Sequence, residues 1–191
     1  AANLAAAIGL MQAGNVNMYQ LIRHIPELRL PKGRLEQIPF EGCEVYIDYA
    51  HTPDGLEKCL KALSVPGEPL YMVLSAAGER DRSKRAVMGR IAGQYCEGII
   101  VTVHDPRREQ PQQIIKELLV EIPPRKIITC HESRKEALQI AAKVALTGKR
   151  MVIVGKGHER FEQIGTEHVP FDEVKILTDE LIRLSGQETA M

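Results

Sequence analysis

An excess of charge is the first thing this sequence lacks: lysine plus arginine and aspartate plus glutamate both number 25, so the formal net charge is zero. A general nucleic-acid binder needs a net or local basic surplus against phosphate, and the balance counts against that class. No run of 18 apolar residues occurs, which leaves no candidate membrane-spanning helix. The four cysteines, Cys43, Cys59, Cys96 and Cys130, stand singly, with neither a Cys-x-x-Cys pair nor metal-ligand spacing. They read as free buried thiols of a reducing compartment, and no bound metal is expected. Internal repeats and low-complexity tracts are absent from the sequence as well. So is Gly-x-x-x-x-Gly-Lys-Ser/Thr, which removes the P-loop as a way of cradling ATP phosphates. The opening Ala1-Ala2-Asn3-Leu4 has neither an initiator methionine nor a basic region, and is expected to be an internal cut rather than a signal peptide.

What is present is an ordinary globular composition, 44% hydrophobic and 26% charged over 191 residues, enough for one substantial α/β domain and an appendage. The first 28 residues read as two helical stretches. The Ala/Leu-rich run 3–13 stops at Gly14-Asn15, and residues 17–25 repeat apolar positions at Met18, Leu21, Ile22 and Ile25, the spacing of one helix face. Residues 28–33 break the pattern and read as a linker. The rhythm then alternates. Strands are expected at 34–40, 44–49, 70–75, 99–103, 126–129 and 151–154, mostly β-branched and apolar at consecutive positions, as strands buried on both faces should be. Helices are expected at 53–64, 83–95, 111–121, 133–146 and 172–184, with Thr52-Pro53 starting one and a Ser133/Glu136 capping box another. This alternation predicts right-handed βαβ crossovers and a mostly parallel six-stranded sheet, a Rossmann-like three-layer α/β domain. The pair 34–40 and 44–49 predicts a hairpin with one antiparallel edge strand, and 163–171 a further edge hairpin arm.

In an open α/β sheet, ligands bind beyond the carboxyl ends of the strands, and the polar clusters fall there. They are Asp48 to Asp54, Gly78 to Arg85, His104 to Arg108 and Gly155 to Arg160. Four charged loops of both signs on one rim suit a zwitterionic or polyanionic ligand. Plainer readings stand beside this one. His51 and His104, each taken alone, read equally as hydrogen-bonded structural histidines, and Gly155-x-Gly157 as a tight turn. Arg80 to Arg85 could be a solvated helix start, although three arginines at a helix N-terminus oppose the macrodipole. A bound carboxylate or phosphate would offset that cost through charge-assisted contacts.

Asp48-Tyr49-Ala50-His51-Thr52-Pro53 after an apolar strand, Gly155-Lys156-Gly157-His158-Glu159, and Asp105-Pro106-Arg107 together resemble the Mur ligase family, over nearly the whole chain. The order and spacing are most similar to members adding the third residue of the peptidoglycan stem peptide. The resemblance implies that residues 1–31 are the tail of a central ATPase domain plus linker, and 32–191 the C-terminal amino-acid-binding domain. It implies an ATP-dependent amide ligase of peptidoglycan precursor synthesis, cytoplasmic and monomeric, acting on UDP-N-acetylmuramoyl-dipeptide and a diamino acid. ATP and Mg2+ would serve the full-length enzyme, whose N-terminal and central domains lie outside this chain, so the fragment alone would be inactive and hold no catalytic residue.

Residue by residue, the resemblance assigns Asn3, Arg34, Asp48 and His51 to the nucleotide, with Asp48 holding the ribose. It assigns Arg80 to the carboxylate of the incoming amino acid, and Gly155 and Glu159 to its distal ammonium. In the selectivity loop, diaminopimelate-adding members carry Asp-Asn-Pro-Arg where this chain has His104-Asp105-Pro106-Arg107. The retained Arg107 would bind the distal carboxylate of meso-diaminopimelate, a group lysine lacks. Asp105 puts an anion near that carboxylate, so Arg107 or Arg108 is expected to compensate it. The alternatives are a folylpolyglutamate or cyanophycin synthetase type of ligase, and a stand-alone nucleotide- or amino-acid-binding module.

Overall fold

A computed structural model of the chain describes residues 2–14, 16–27 and 31–186, apart from the side chains of 2–4 and 26. Contacts divide the chain into two units, Ala1–Pro31 and Lys32–Met191. The first contains α1 (Ala2–Ala13), α2 (Met18–His24) and a 3-10 turn over Ile25–Glu27. The Asn17 carboxamide caps α2 by accepting from the amides of Tyr19 and Gln20, which satisfies two of the donors that a helix start leaves free.

The second unit orders β1 (Glu36–Gln37), β2 (Val45–Asp48), α3 (Pro53–Leu63), β3 (Leu70–Ala77), α4 (Ser83–Tyr95), β4 (Gly98–His104) and α5 (Pro111–Leu119). Then come β5 (Ile127–Cys130), α6 (Arg134–Ala145), β6 (Arg150–Val154), β7 (Phe161–Ile164), β8 (Glu167–Pro170) and α7 (Glu173–Ser185). Six strands form one sheet in the order β1-β2-β6-β3-β4-β5. Only β1 runs antiparallel, pairing Glu36 with Ile47. Consecutive residues of the central strands bury opposite faces. Met72 and Leu74 join the cluster under α3, α4 and α5, whereas Val73 joins Ala137, Leu138, Leu177 and Leu181 under α6 and α7. Strands covered on both sides need no polar alternation, hence their unbroken apolar runs.

Three details differ from the sequence expectations. The first strand shrinks from 34–40 to two residues, because Gly33 and Leu35 both adopt positive φ and Pro39 has no amide hydrogen to donate to a ladder. The hairpin of β7 and β8 does not join the main sheet but forms its own two-stranded ribbon, turning at Gly165 with φ 59. The capping box on α6 is half made: the Ser133 hydroxyl accepts from the Glu136 amide at 3.3 Å, while the Glu136 carboxylate pairs with His131 instead. Of the four thiols, Cys59 and Cys96 are buried, Cys43 is half-buried, and Cys130 on the edge strand is exposed.

Strand order creates the place for a site. The chain leaves β2 and β3 for helices on one face of the sheet, whereas β6, lying between them, leads through the hairpin to α7 on the other. Connections diverging from neighbouring strands open a crevice at their carboxyl ends.

Candidate functional site

That crevice is a pocket of about 420 Å³ lined by Tyr49, His51, Arg80, Lys84, His104, Asp105, Arg107, Gly155 and Glu159 among others. All six residues that the resemblance assigned to the amino acid line it, and so does His51. Arg34 and Asp48 lie beside it. The Arg34 guanidinium stacks 4.7 Å from the Tyr49 ring centroid. Asp48 accepts the Leu35 amide on one oxygen and the Ala50 amide on the other, at 2.9 and 2.8 Å, so it pins the loop after Gly33 onto the end of β2. The Asn3 side chain lies outside the described residues.

Backbone geometry makes the floor possible. Gly155 follows β6 at φ +119, and a Cβ there would stand 2.6 Å from Ser75 Oγ and 2.8 Å from His104 Cε1. Only glycine permits that φ and that approach. Gly78 does the same one strand over, where a Cβ would strike the Pro106 carbonyl oxygen. Three non-glycine residues of the rim, Glu79, Asp105 and Arg107, also hold positive φ, between 44 and 53.

One end of the pocket is acidic. The Lys156 ammonium is fully buried and donates to Asp105 Oδ1 at 2.9 Å and to Glu159 Oε2 at 3.2 Å. The Gln163 amide donates to the same Asp105 oxygen at 2.7 Å, and the Tyr49 hydroxyl to Glu159 Oε1 at 3.1 Å. Asp105 therefore presents no naked anion to a ligand. Its compensator is Lys156, not the expected Arg107 or Arg108. Arg107 instead ties loops together: its Nε donates to Gln163 Oε1 at 2.9 Å and its Nη1 to the Gly78 carbonyl at 2.5 Å.

The other end is basic. Arg80 makes no hydrogen bond or ion pair among the described residues and is exposed. Lys84, whose pKa burial lowers, donates to the His51 carbonyl at 2.8 Å. The macrodipole argument for three arginines holds only for Arg80. Arg85, fully buried, sits between Glu109 and Glu117 at 2.6 Å from each, and Arg82 pairs with Glu117. Those two arginines lock α4 to α5 and answer each other's carboxylates rather than a ligand's. Just ahead of α4, Asp81 accepts from the Ser83 amide at 2.9 Å and from its hydroxyl at 2.7 Å.

His104 forms the floor between the two ends and is 4% exposed. Its pKa is held well below the ordinary imidazole value, first by burial and then by Arg134, Lys156, His51 and Lys84. Sequence reasoning assigned no role to Tyr49, Ser75, Lys84, Arg134 or Lys156. The signal for Ser75 was a lone hydroxyl inside the apolar run of β3, and for Lys156 its place inside the Gly155–Glu159 loop. Among the described residues, no group of three or more His, Cys, Asp or Glu is placed to hold a metal ion.

Comparison with known proteins gives four matches. The sequence profile of "Mur ligase, glutamate ligase domain" matches residues 33–157. The UDP-N-acetylmuramoyl-L-alanyl-D-glutamate--2,6-diaminopimelate ligase of Prochlorococcus marinus is 38% identical over 177 residues, which is 91% of this chain and 35% of that protein. A solved structure of a ligase with the same description superposes with a TM-score of 0.73 at 31% identity, covering 98% of this chain and 38% of the other. A folylpolyglutamate synthase from Thermotoga maritima shares the fold, with a TM-score of 0.57 at 22% identity over 78% of this chain and 34% of its own. The chain spans about 35% of the length of the curated relatives it matches.

Proposed function

The chain belongs to the Mur ligase glutamate-ligase-domain family, and from that premise we propose that it is the amino-acid-binding part of an ATP-dependent ligase adding meso-diaminopimelate to UDP-N-acetylmuramoyl-dipeptide. The observation that carries the reading is a pocket whose lining brings Arg80 and Lys84 together with Glu159. A diamino dicarboxylate offers an anion and a cation at each terminus. Arg80 would take one carboxylate, Arg107 the distal one, and Glu159 with the Gly155 carbonyl the distal ammonium. Glu159 is aimed beforehand by Tyr49 and Lys156, which lowers the ordering cost of binding.

In the longer protein, ATP with Mg2+ would supply the phosphoryl group that activates the acceptor carboxylate, leaving as ADP. In this reading the metal belongs to the part of the longer protein outside this chain. Arg34, which is exposed, would reach the nucleotide with His51. Asp48, 8% exposed, would accept from a ribose hydroxyl with the acceptor capacity left beyond the Leu35 and Ala50 amides. Asn3 would complete the nucleotide contacts. The remaining task of this chain is to present the amine as nucleophile, and near-attack positioning of that kind contributes up to roughly 7–11 kcal/mol. The full enzyme would be cytoplasmic and work as a monomer.

Calorimetric titration of the chain with meso-diaminopimelate, lysine and ATP tests this. Diaminopimelate should bind at least about tenfold more tightly than lysine, since a charge-assisted contact to the second carboxylate contributes about 1.5–3 kcal/mol. Equal affinity for the two would remove Arg107 from the selectivity role and favour another amino acid.

A further inference from the structure

Behind the pocket floor lies a buried polar chain that the proposed contacts do not use. The Ser75 hydroxyl, fully buried in the middle of the sheet, touches three polar atoms: His104 Nδ1 at 2.8 Å, the Val154 carbonyl oxygen at 3.0 Å and Arg134 Nη1 at 2.8 Å. Each contact needs one hydrogen between its atoms, and the hydroxyl has only one to give. Arg134 is always a donor, so it supplies the hydrogen of its own contact. The Val154 carbonyl can only accept, so it takes the hydroxyl hydrogen. The third hydrogen must then come from His104, which places it on Nδ1. If the hydroxyl instead donated to His104, no hydrogen would lie on the 3.0 Å line between it and the Val154 carbonyl oxygen, and the two oxygens would share only the Arg134 guanidinium.

We propose that Ser75 and Arg134 are positioning residues that hold His104 in its Nδ1–H form, so that Nε2 offers the floor of the pocket a lone pair for an amine of the amino-acid substrate. This rests on the amino-acid reading of the pocket given above. Nε2 has no hydrogen-bond partner among the described residues, and His104 lines the cavity. Arg134 is itself fixed: its Nε and Nη2 both donate to Glu173 Oε2, and Nη2 also to the Val154 carbonyl. The pair is buried, 0% and 1% exposed, and links the first turn of α6 to the first turn of α7. Protonation of His104 is opposed by burial and by the groups facing it, the cations Arg134 from α6, Lys156 from a rim loop and Lys84 from α4, and the imidazole of His51. An uncharged acceptor differs from a carboxylate at this position in a useful way. It binds the amine without raising the affinity of that amine for its proton, as an adjacent anion would, and an unprotonated amine is the nucleophile that an amide ligase needs.

Long-range nitrogen–proton spectra of the 15N-labelled chain distinguish the imidazole forms. His104 should appear as the neutral Nδ1–H form throughout pH 5–8, and its Nε2 signal should move on addition of meso-diaminopimelate. Ser75→Ala should abolish the single form and weaken diaminopimelate binding about tenfold, the equivalent of one good hydrogen bond, with ATP binding unchanged. Ser75→Thr, which keeps the hydroxyl, should restore both. An Nε2–H form in the wild type, titration of His104 near its ordinary value, or undiminished affinity in Ser75→Ala with the Nδ1–H form lost would each overturn the proposal. Pimelate, a dicarboxylate without amines, separates the two levels. If pimelate binds as well as diaminopimelate while the Nδ1–H form persists, the amino-acid reading of the pocket falls and the tautomer lock stands.

Discussion

Lys156 gives the sharpest test of how the acidic end is built. Its ammonium is 0% exposed and its nearer partner Asp105 is 8% exposed at the side chain, 2.9 Å away. Replacing Lys156 by Met keeps the volume and removes the charge, leaving Asp105 buried with no cation in contact. Removing one partner of a buried pair costs about 3–5 kcal/mol. At roughly 2–4 °C per kcal/mol for a domain of this size, the melting temperature should fall by about 6–20 °C. Asp105→Asn alone keeps the oxygen that accepts the Gln163 amide and leaves Lys156 its contact with Glu159, so its cost should be smaller, about 1–2 kcal/mol. The double variant has neither charge. It should be more stable than Lys156→Met alone, with a coupling energy well above the 0.5 kcal/mol or so within which independent sites add. Urea denaturation of the four proteins closes the cycle. Additive losses would refute the assignment of Lys156 as the compensator of Asp105, and with it the account of how an anion is tolerated in the selectivity loop.

The remaining predictions concern the rim and the α4–α5 lock. Gly155→Ala forces a Cβ at φ +119 against Ser75 and His104; it should lower stability by at least about 2 kcal/mol and abolish amino-acid binding, read by thermal melts and calorimetry. In the longer ligase proposed above, Arg107→Ala should raise the KM for the amino acid by roughly 10–100-fold, from the loss of a charge-assisted contact, and spare that for ATP. If both constants rise together, the role of Arg107 is confined to tying Gly78 to Gln163. Arg82, and with it Arg85, holds the Glu117 carboxyl down at about 2 from an ordinary 4.5. A depressed carboxylate stabilises the fold above its unfolded value and loses that contribution as pH falls toward the folded one. The stability difference between wild type and Glu117→Gln should therefore be full at pH 7 and shrink between pH 5 and 2; a gap independent of pH would exclude the ion pair as its source.

The layers of the fold were legible because they follow from local rules. Runs such as Ile99–Val103 and Met151–Val154 are apolar on consecutive residues, which only a strand covered on both faces tolerates, and Thr52-Pro53 marks a helix start by cap chemistry alone. The rim was legible for a related reason, since charged loops at the carboxyl ends of parallel strands have one place to meet. Interactions across long stretches of sequence were not legible. Arg82 and Arg85 looked free for an anion because Glu117, their partner, lies more than 30 residues away on a helix whose rotation the sequence does not disclose. Ser75 and Arg134 stand 59 residues apart, and nothing local marks either as part of one chain of hydrogen bonds. The hairpin of β7 and β8 was placed at the sheet edge on pattern alone, whereas its attachment runs through Arg107, whose amide donates to the Gln163 carbonyl.

Strain and buried charge meet at the same loop, and each explains why the other persists. Asp105 and Arg107 flank Pro106 with φ of 44 and 53, conformations that cost an L-residue about 1–2 kcal/mol each. A loop free to relax would leave them. It cannot, because Asp105 is clamped by Lys156 and the Gln163 amide, and Arg107 by the Gly78 carbonyl and the Gln163 side chain. Gln163 thus holds both residues, Asp105 through its amide and Arg107 through its carbonyl and its side chain. The hairpin bearing it thereby becomes part of the pocket without lining it. Lys156 directly follows Gly155, whose missing Cβ leaves room for His104 at 2.8 Å. Asp105, the lysine that neutralises it and the glycine that admits His104 to the floor form one mechanical unit. A substitution at any of the three should be felt at the other two.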